Sequence, residues 1–176
     1  FNSVNAKSLL PDINLPWKLT FNLEAEQIRK QADPIVEIMK VLPGDMFFFR
    51  RAGMVRSVLS ELYSNALEHG VLKLDSRVKK TSEGFASYYE ERANRIKALG
   101  EGFVNVSLDF NYERLNRELI IKIEDSGAGF QYEQRHQSLA KNRKAWGRGV
   151  ALIRSLSESV IYSNRGACVE VVFSLS

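Results

Sequence analysis

A chain of 176 residues is long enough to bury a full core in one compact domain. Its 44% hydrophobic and 26% charged residues are those of a globular protein. The net charge of +4 permits anionic ligands but is too mild and too dispersed to imply direct contact with nucleic acid. The single cysteine, Cys168, excludes an internal disulfide and a multi-cysteine zinc site and points to a reducing, cytoplasmic compartment. No apolar run approaches the roughly 20 residues that cross a bilayer, and no signal peptide is visible, so no membrane contact is expected. Because the chain starts at Phe1 without an initiator methionine, it is read as a segment of something longer.

In chain order, residues 1–16 read as a tail or linker, rich in Asn, Ser, Asp and Pro. "WKLTFNL" then alternates, with Trp17, Leu19, Phe21 and Leu23 on one side and Lys18, Thr20 and Asn22 on the other, which is the pattern of a half-buried strand. "EAEQIRKQADPIVEIMKVL" is helical, either bent or restarted at Pro34. A further helix is expected from Ala52 to Leu72. Residues 73–102 form a highly charged insertion, helical from about Phe85 to Leu99, with Phe85, Tyr88 and Tyr89 at helical spacing and expected to pack on the domain. "FVNVSLDF" and "RELIIKIED" are strands joined by a polar turn around Asn111 to Asn116. A Gly-bearing, basic stretch from Ser126 to Gly149 precedes the apolar helix "VALIRSLS". "SVIYSN" and "CVEVVFSL" close the chain as two strands flanking the turn "RGA". Strands alternating with helices in this way predict a two-layer α/β sandwich, its sheet mixed but mostly antiparallel, with helices on one face.

The stretch "ELYSNALEHG", residues 61–70, carries unusual polar residues for a core helix. At 100° per residue, Val55, Val58, Leu59, Leu62 and Ala66 make one apolar stripe. Glu61, Asn65 and Glu68 make a second, centred roughly 90° away, which flanks the buried face and is placed to line a cleft. His69 falls close to the apolar stripe. A solvated helix flank gives the same pattern, so this segment alone does not settle the matter.

Two other segments add to it. In "IEDSGAGF", residues 123–130, an acid at a strand end is suited to accept a hydrogen bond from an exocyclic amine such as adenine's. The glycines beyond it let the backbone approach a flat ligand, although Asp-Ser-Gly is also ordinary turn chemistry. In "WGRGVALI", residues 146–153, glycines and an arginine stand at the start of a helix, where free N–H groups and the helix dipole favour phosphate. It is not a Walker-type loop, because the Gly-Lys-Ser/Thr ending is missing.

Together and in this order, "ELYSNALEHG", "EDSGAGF" and "GRGVALI" resemble the ATP-binding motifs of the GHKL superfamily, which shares the Bergerat fold. The likeness spans roughly residues 17–176, with 73–102 as the insertion, and is nearest to bacterial anti-sigma-factor serine kinases. The insertion resembles that of kinase domains at the C-terminus of response-regulator proteins that also carry a PP2C-type phosphatase domain. The resemblance implies ATP and Mg2+ as cofactors, with Asn65 as the magnesium ligand and Glu61 as the general base toward a serine or threonine hydroxyl. It implies that Asp125 reads adenine, that Gly127 and Gly129 lie beneath the base, and that Gly147, Arg148, Gly149 and Val150 form the phosphate-facing loop at the end of a lid over 131–146. Arg135, Lys141, Arg143 and Lys144 of that lid are candidates to hold triphosphate. His69 matches the pattern as a structural residue. The implied partners are a STAS-type anti-sigma-factor antagonist and a sigma factor, with a homodimer open. A module that binds such partners without catalysis is the competing reading. One departure stands out: where the family commonly has threonines after a glycine, this chain reads "GACVE", with Ala167 and Cys168 in their place.

Overall fold

The computed structural model describes residues 16–30, 33–42, 46–75, 78, 82–113, 116–129 and 148–174. In chain order these form β1 (Trp17–Glu24), α1 (Ala25–Lys30), α2 (Pro34–Val41), α3 (Met46–Asn65), a π-helical turn (Ala66–Val71), α4 (Ser82–Lys97), β2 (Phe103–Glu113), β3 (Asn116–Asp125), α5 (Arg148–Leu156), β4 (Ser159–Ser163), a short 3-10 turn (Asn164–Gly166) and β5 (Cys168–Ser174). No helix among these residues is long and apolar enough to cross a membrane.

The five strands make one sheet in the order β1-β2-β3-β5-β4, and every adjacent pair is antiparallel. Among the described residues the sheet is thus antiparallel throughout, within the mostly antiparallel sheet expected. β3 and β4 do run in the same direction, as a strand-helix-strand connection through α5 allows, but β5 lies between them and no parallel pair forms.

Alternation decides which face is buried. The register aligns Phe21 with Val106, Val106 with Ile123, and Ile123 with Val169. It does the same for Leu19, Leu108, Ile121 and Val171. All of these but Leu19 join Ile28, Ile35, Ile38, Val55, Leu59, Leu62 and Ile153 of the helices in a single core. The opposite face carries Lys18, Thr20, Ser107, Asp109, Lys122 and Glu170. The result is a two-layer α/β sandwich.

Local chemistry explains the helix boundaries that matter. α2 restarts after the break because Asp33 caps it, accepting from the Ile35 N–H at 3.0 Å, with Pro34 in the first turn, where a missing N–H costs nothing. α3 begins at Met46, earlier than the expected Ala52, and its predicted stripe of Val55, Val58, Leu59, Leu62 and Ala66 is buried throughout. Beyond Asn65 the helix widens. The Leu72 N–H reaches the Leu67 carbonyl at 2.8 Å and the Leu74 N–H the Glu68 carbonyl at 2.7 Å, which are five- and six-residue spans rather than four.

That widening overturns two expectations, because a constant 100° per residue no longer holds past Asn65. His69 leaves the apolar stripe, is exposed, and places Nδ1 2.9 Å from the Leu74 carbonyl. Glu68 leaves the cleft-lining stripe and is buried against α4. The expected packing of the aromatic trio on α4 also holds only for Tyr88, which is 3% exposed. Phe85 and Tyr89 are 52% and 45% exposed and lie on one another, ring centroids 4.8 Å apart.

Candidate functional site

α3 delivers Glu61 and Asn65 one turn apart on the same face. The Asn65 amide donates to Glu61 Oε1 at 3.2 Å, so the amide's other end, its carbonyl oxygen, is the hard oxygen that suits a magnesium ion. Both side chains are half-buried. Against them comes the first turn of α5. A Cβ placed on Gly149 would overlap the Glu61 carboxylate, so only glycine lets this helix start approach so closely. The carboxylate thus sits beside the N-terminus of α5, where exposed N–H groups and the positive end of the helix dipole favour negative charge. Gly147 lies outside the described residues, as does the lid with Arg135, Lys141, Arg143 and Lys144. Arg148 and Val150 contribute backbone to the first turn of α5, and their side chains are not described.

A second close approach lies about nine residues further along the same helical segment, at Gly70, roughly 13 Å of helical rise. Asp125 ends β3 on the core-facing side, in the same parity as Leu119, Ile121 and Ile123, and so its carboxylate points toward the π-helical turn. A Cβ on Gly70 would overlap that carboxylate, and a Cβ on Gly127 would come within 2.6 Å of both Asp125 Oδ1 and the Gly70 carbonyl. Gly127 donates its N–H to Asp125 Oδ1 at 2.8 Å. Gly129 follows with φ +73°, and a Cβ there would meet the Arg165 carbonyl of the β4–β5 turn at 2.5 Å. Around Asp125 the backbone of two segments has therefore been stripped of side chains.

The electrostatics of that spot are distinctive. Burial raises the Asp125 pKa to about 6, against the lowering effect of the Gly127 N–H, with the neighbouring Glu124 adding a smaller push upward. A carboxyl group in that condition gains from a ligand that donates a hydrogen bond to it, because such a donor favours the charged form that the protein alone disfavours.

The altered strand opening is placed as follows. The Ala167 carbonyl accepts the Asp125 N–H at 2.9 Å, so Ala167 stands directly beside the carboxylate without a hydroxyl to offer. Cys168 is 2% exposed but pairs with Glu124, in the opposite parity from Asp125, and so belongs to the other face of the sheet.

Some of the residues that build this region were not expected from the sequence. Gly70 was quoted with its motif but given no task; its signal was its position, at the end of a polar helix and before a loop. Glu68 was placed in the wrong neighbourhood. Its carboxylate accepts from the Tyr88 hydroxyl at 2.6 Å and from Arg92 Nε at 3.0 Å, both on α4. No periodicity within α3 signals those partners.

The three stretches singled out in the sequence thus come together on one continuous helical segment, with Asp125 and its glycines packed at its far end and the approach of Gly149 to Glu61 about two and a half turns earlier. No group of three or more His, Cys, Asp or Glu side chains able to hold a metal occurs among the described residues. No curated protein matches the chain. A family model described as a histidine kinase-like ATPase domain matches residues 35–173, a span from α2 to β5 that includes every residue just described.

Proposed function

This chain belongs to the histidine kinase-like ATPase domain family, and from that premise we propose that it is a Mg·ATP-dependent serine/threonine protein kinase acting on a STAS-type anti-sigma-factor antagonist. Family membership carries the coarser part, an ATP-binding domain with kinase-like or ATPase function. The finer part is a reading of the site, supported by the Glu61–Asn65 pair held against the start of α5.

In this reading Asp125 accepts a hydrogen bond from the adenine amine, and the side-chain-free surface of Gly70 and Gly127 takes the base edge. The N–H groups that open α5 bind phosphate. Magnesium would be held by the Asn65 carbonyl oxygen. A single protein oxygen is enough, since Mg2+ keeps several waters and otherwise binds substrate phosphates. When bound, that ion neutralises charge building on the phosphates. Glu61 then takes the proton of the incoming serine or threonine hydroxyl as its oxygen attacks the γ-phosphate. The Asn65 N–H directs one oxygen of Glu61 and leaves the other for that proton.

The direct test is transfer of labelled phosphate from ATP to candidate antagonists. Glu61→Ala is expected to reduce transfer by roughly 10²–10⁴-fold while the protein still binds ATP. No transfer to any serine or threonine, or transfer indifferent to Glu61, would overturn the kinase reading.

One observation favours a second reading. Ala167 stands beside Asp125 with no hydroxyl, which removes a contact that the family resemblance would supply to adenine. In that reading the domain holds a sigma factor or an antagonist, with nucleotide as a structural or allosteric ligand. ATP binding without turnover, together with stable capture of a purified sigma factor, would select it.

A further inference from the structure

We propose that Arg95 and Arg92 of α4 are positioning residues for the nucleotide site: they hold the widened end of the long helix so that Gly70 stays packed on Asp125. This rests on the reading of Asp125 as the purine-binding carboxylate, and it assigns a task to a segment that none of the ATP-binding motifs includes.

The widened turn lacks the regular bonding that fixes an α-helix. Its last carbonyls must find donors elsewhere, and α4 supplies them. Arg95 Nη1 donates to the Leu72 carbonyl at 2.7 Å and to the Lys73 carbonyl at 3.1 Å. Lys73 has φ +53°, an uncommon backbone state for a residue with a side chain, and this one guanidinium holds its carbonyl and that of Leu72. One and two turns earlier on α4, Arg92 Nε and the Tyr88 hydroxyl grip the two oxygens of the buried Glu68. Gly70 lies between these anchors, two residues after Glu68 and two before Leu72. The turn is thus tied to α4 on both sides of the residue that meets Asp125.

The tolerance at that contact is small. A Cβ on Gly70 does not fit against the Asp125 carboxylate, so a movement of the turn of a fraction of an ångström changes how closely the backbone covers that group. Such a movement also changes the space left for a ligand's edge. α4 is itself held to the rest of the fold at its far end, where Arg29 of α1 bonds the Leu99 carbonyl, and Ile96 and Leu99 pack on the core. From Tyr88 to Leu99 it is therefore packed and bonded to the rest of the fold. Arg95 is the better probe because its guanidinium is partly exposed, at 43% for the side chain, and its removal leaves no buried carboxylate alone.

The test compares wild type, Arg95→Ala, Arg95→Lys and Asp125→Asn by thermal melting, by calorimetric titration with Mg·ATP, and by the amide signals of Gly70 and Gly127 in nucleotide-free protein. Arg95→Ala is expected to melt within a few degrees of wild type, to bind ATP about tenfold more weakly, as loss of a charge-assisted hydrogen bond predicts, and to shift both amide signals. Arg95→Lys, which keeps a donor to the carbonyls, is expected to recover most of the affinity. Unchanged affinity and unmoved signals in Arg95→Ala overturn the proposal. Should Arg95→Ala not fold, Arg95→Met, which keeps the side-chain stem and removes the donor, carries the same comparison, and wild-type affinity with unmoved amide signals there overturns it. If Asp125→Asn binds ATP as wild type does, the purine-site reading itself fails, whatever Arg95 does.

Discussion

Glu61 and Glu68 stand two turns apart on one continuous helical segment and have opposite surroundings. Glu68 is 7% exposed, and both of its oxygens are engaged, by a tyrosine hydroxyl and a guanidinium. Glu61 is half-buried, with the neutral Asn65 amide on one oxygen at 3.2 Å and a glycine backbone close by. A carboxylate with strong donors on both oxygens is locked into a structural role. One with a weak neutral donor and an open side is free to accept a proton. The same side chain on the same helix thus serves structure at one end and, in the proposed reading, chemistry at the other.

Substitutions break the comparison in order of expected effect. Glu61→Ala should separate activity from folding: phosphoryl transfer falls by roughly 10²–10⁴-fold, while unfolding free energy changes by less than about 1 kcal/mol. A large loss of stability in denaturant titration would mean that Glu61 is structural after all. Arg92→Ala should do the reverse. Breaking a fully buried ion pair costs about 3–5 kcal/mol; because the Arg92 side chain is 29% exposed, a loss of about 2–3 kcal/mol is expected in the same measurement. Little change there would remove Glu68 from its assigned role.

Gly70→Ala sharpens the contrast between the two glycine contacts. An added methyl in a tight contact typically costs about 1–3 kcal/mol, partly offset here by alanine's better helix propensity of about 1 kcal/mol. Asp125 is short and has little room to turn aside, so ATP binding should fall with it. At Gly149 the clashing atoms are the far end of a longer, more mobile side chain, and Gly149→Ala should cost less stability. Comparison of the two melting curves and two ATP titrations checks the order.

The smallest effect concerns pH. The Asp125 pKa is raised to about 6, so the folded protein holds that proton more tightly than the unfolded chain does. Its contribution to stability is therefore fully present below the ordinary aspartate range, near 4, and is lost as pH rises through about 6. A ligand that donates to the charged carboxylate has the opposite preference, so ATP affinity should weaken as pH falls through about 6. Asp125→Asn should flatten both trends. Affinity independent of pH in wild type between pH 5 and 7 would argue against a hydrogen bond to this group.

Much of the architecture was readable because it follows local periodicity. The alternation of Trp17, Leu19, Phe21 and Leu23 gives β1 its core face, and the restart at Pro34 follows from an aspartate cap that is explicit in "ADP". Of the three quoted stretches, one does fall at the end of a helix, one at a strand end and one at a helix start. What failed was geometry set from a distance. The widened turn after Asn65 shifts Glu68 and His69 out of the faces that a regular helix assigns them, and the groups that receive Glu68 lie 20 and 24 residues downstream. For the same reason nothing in the pattern of the charged insertion set Arg92 apart, although it stands on the buried side of α4 with Tyr88 and Ile96. Strand direction was likewise legible, whereas the insertion of β5 between β3 and β4 was not.

The most direct test of a single nucleotide pocket built along α3 is calorimetric titration of Mg·ATP into wild type, Asn65→Ala and Asp125→Asn. Saturable one-to-one binding in wild type, strongly weakened by either substitution, is the expected result. Wild-type protein that does not bind ATP, or binding that neither substitution disturbs, would contradict it.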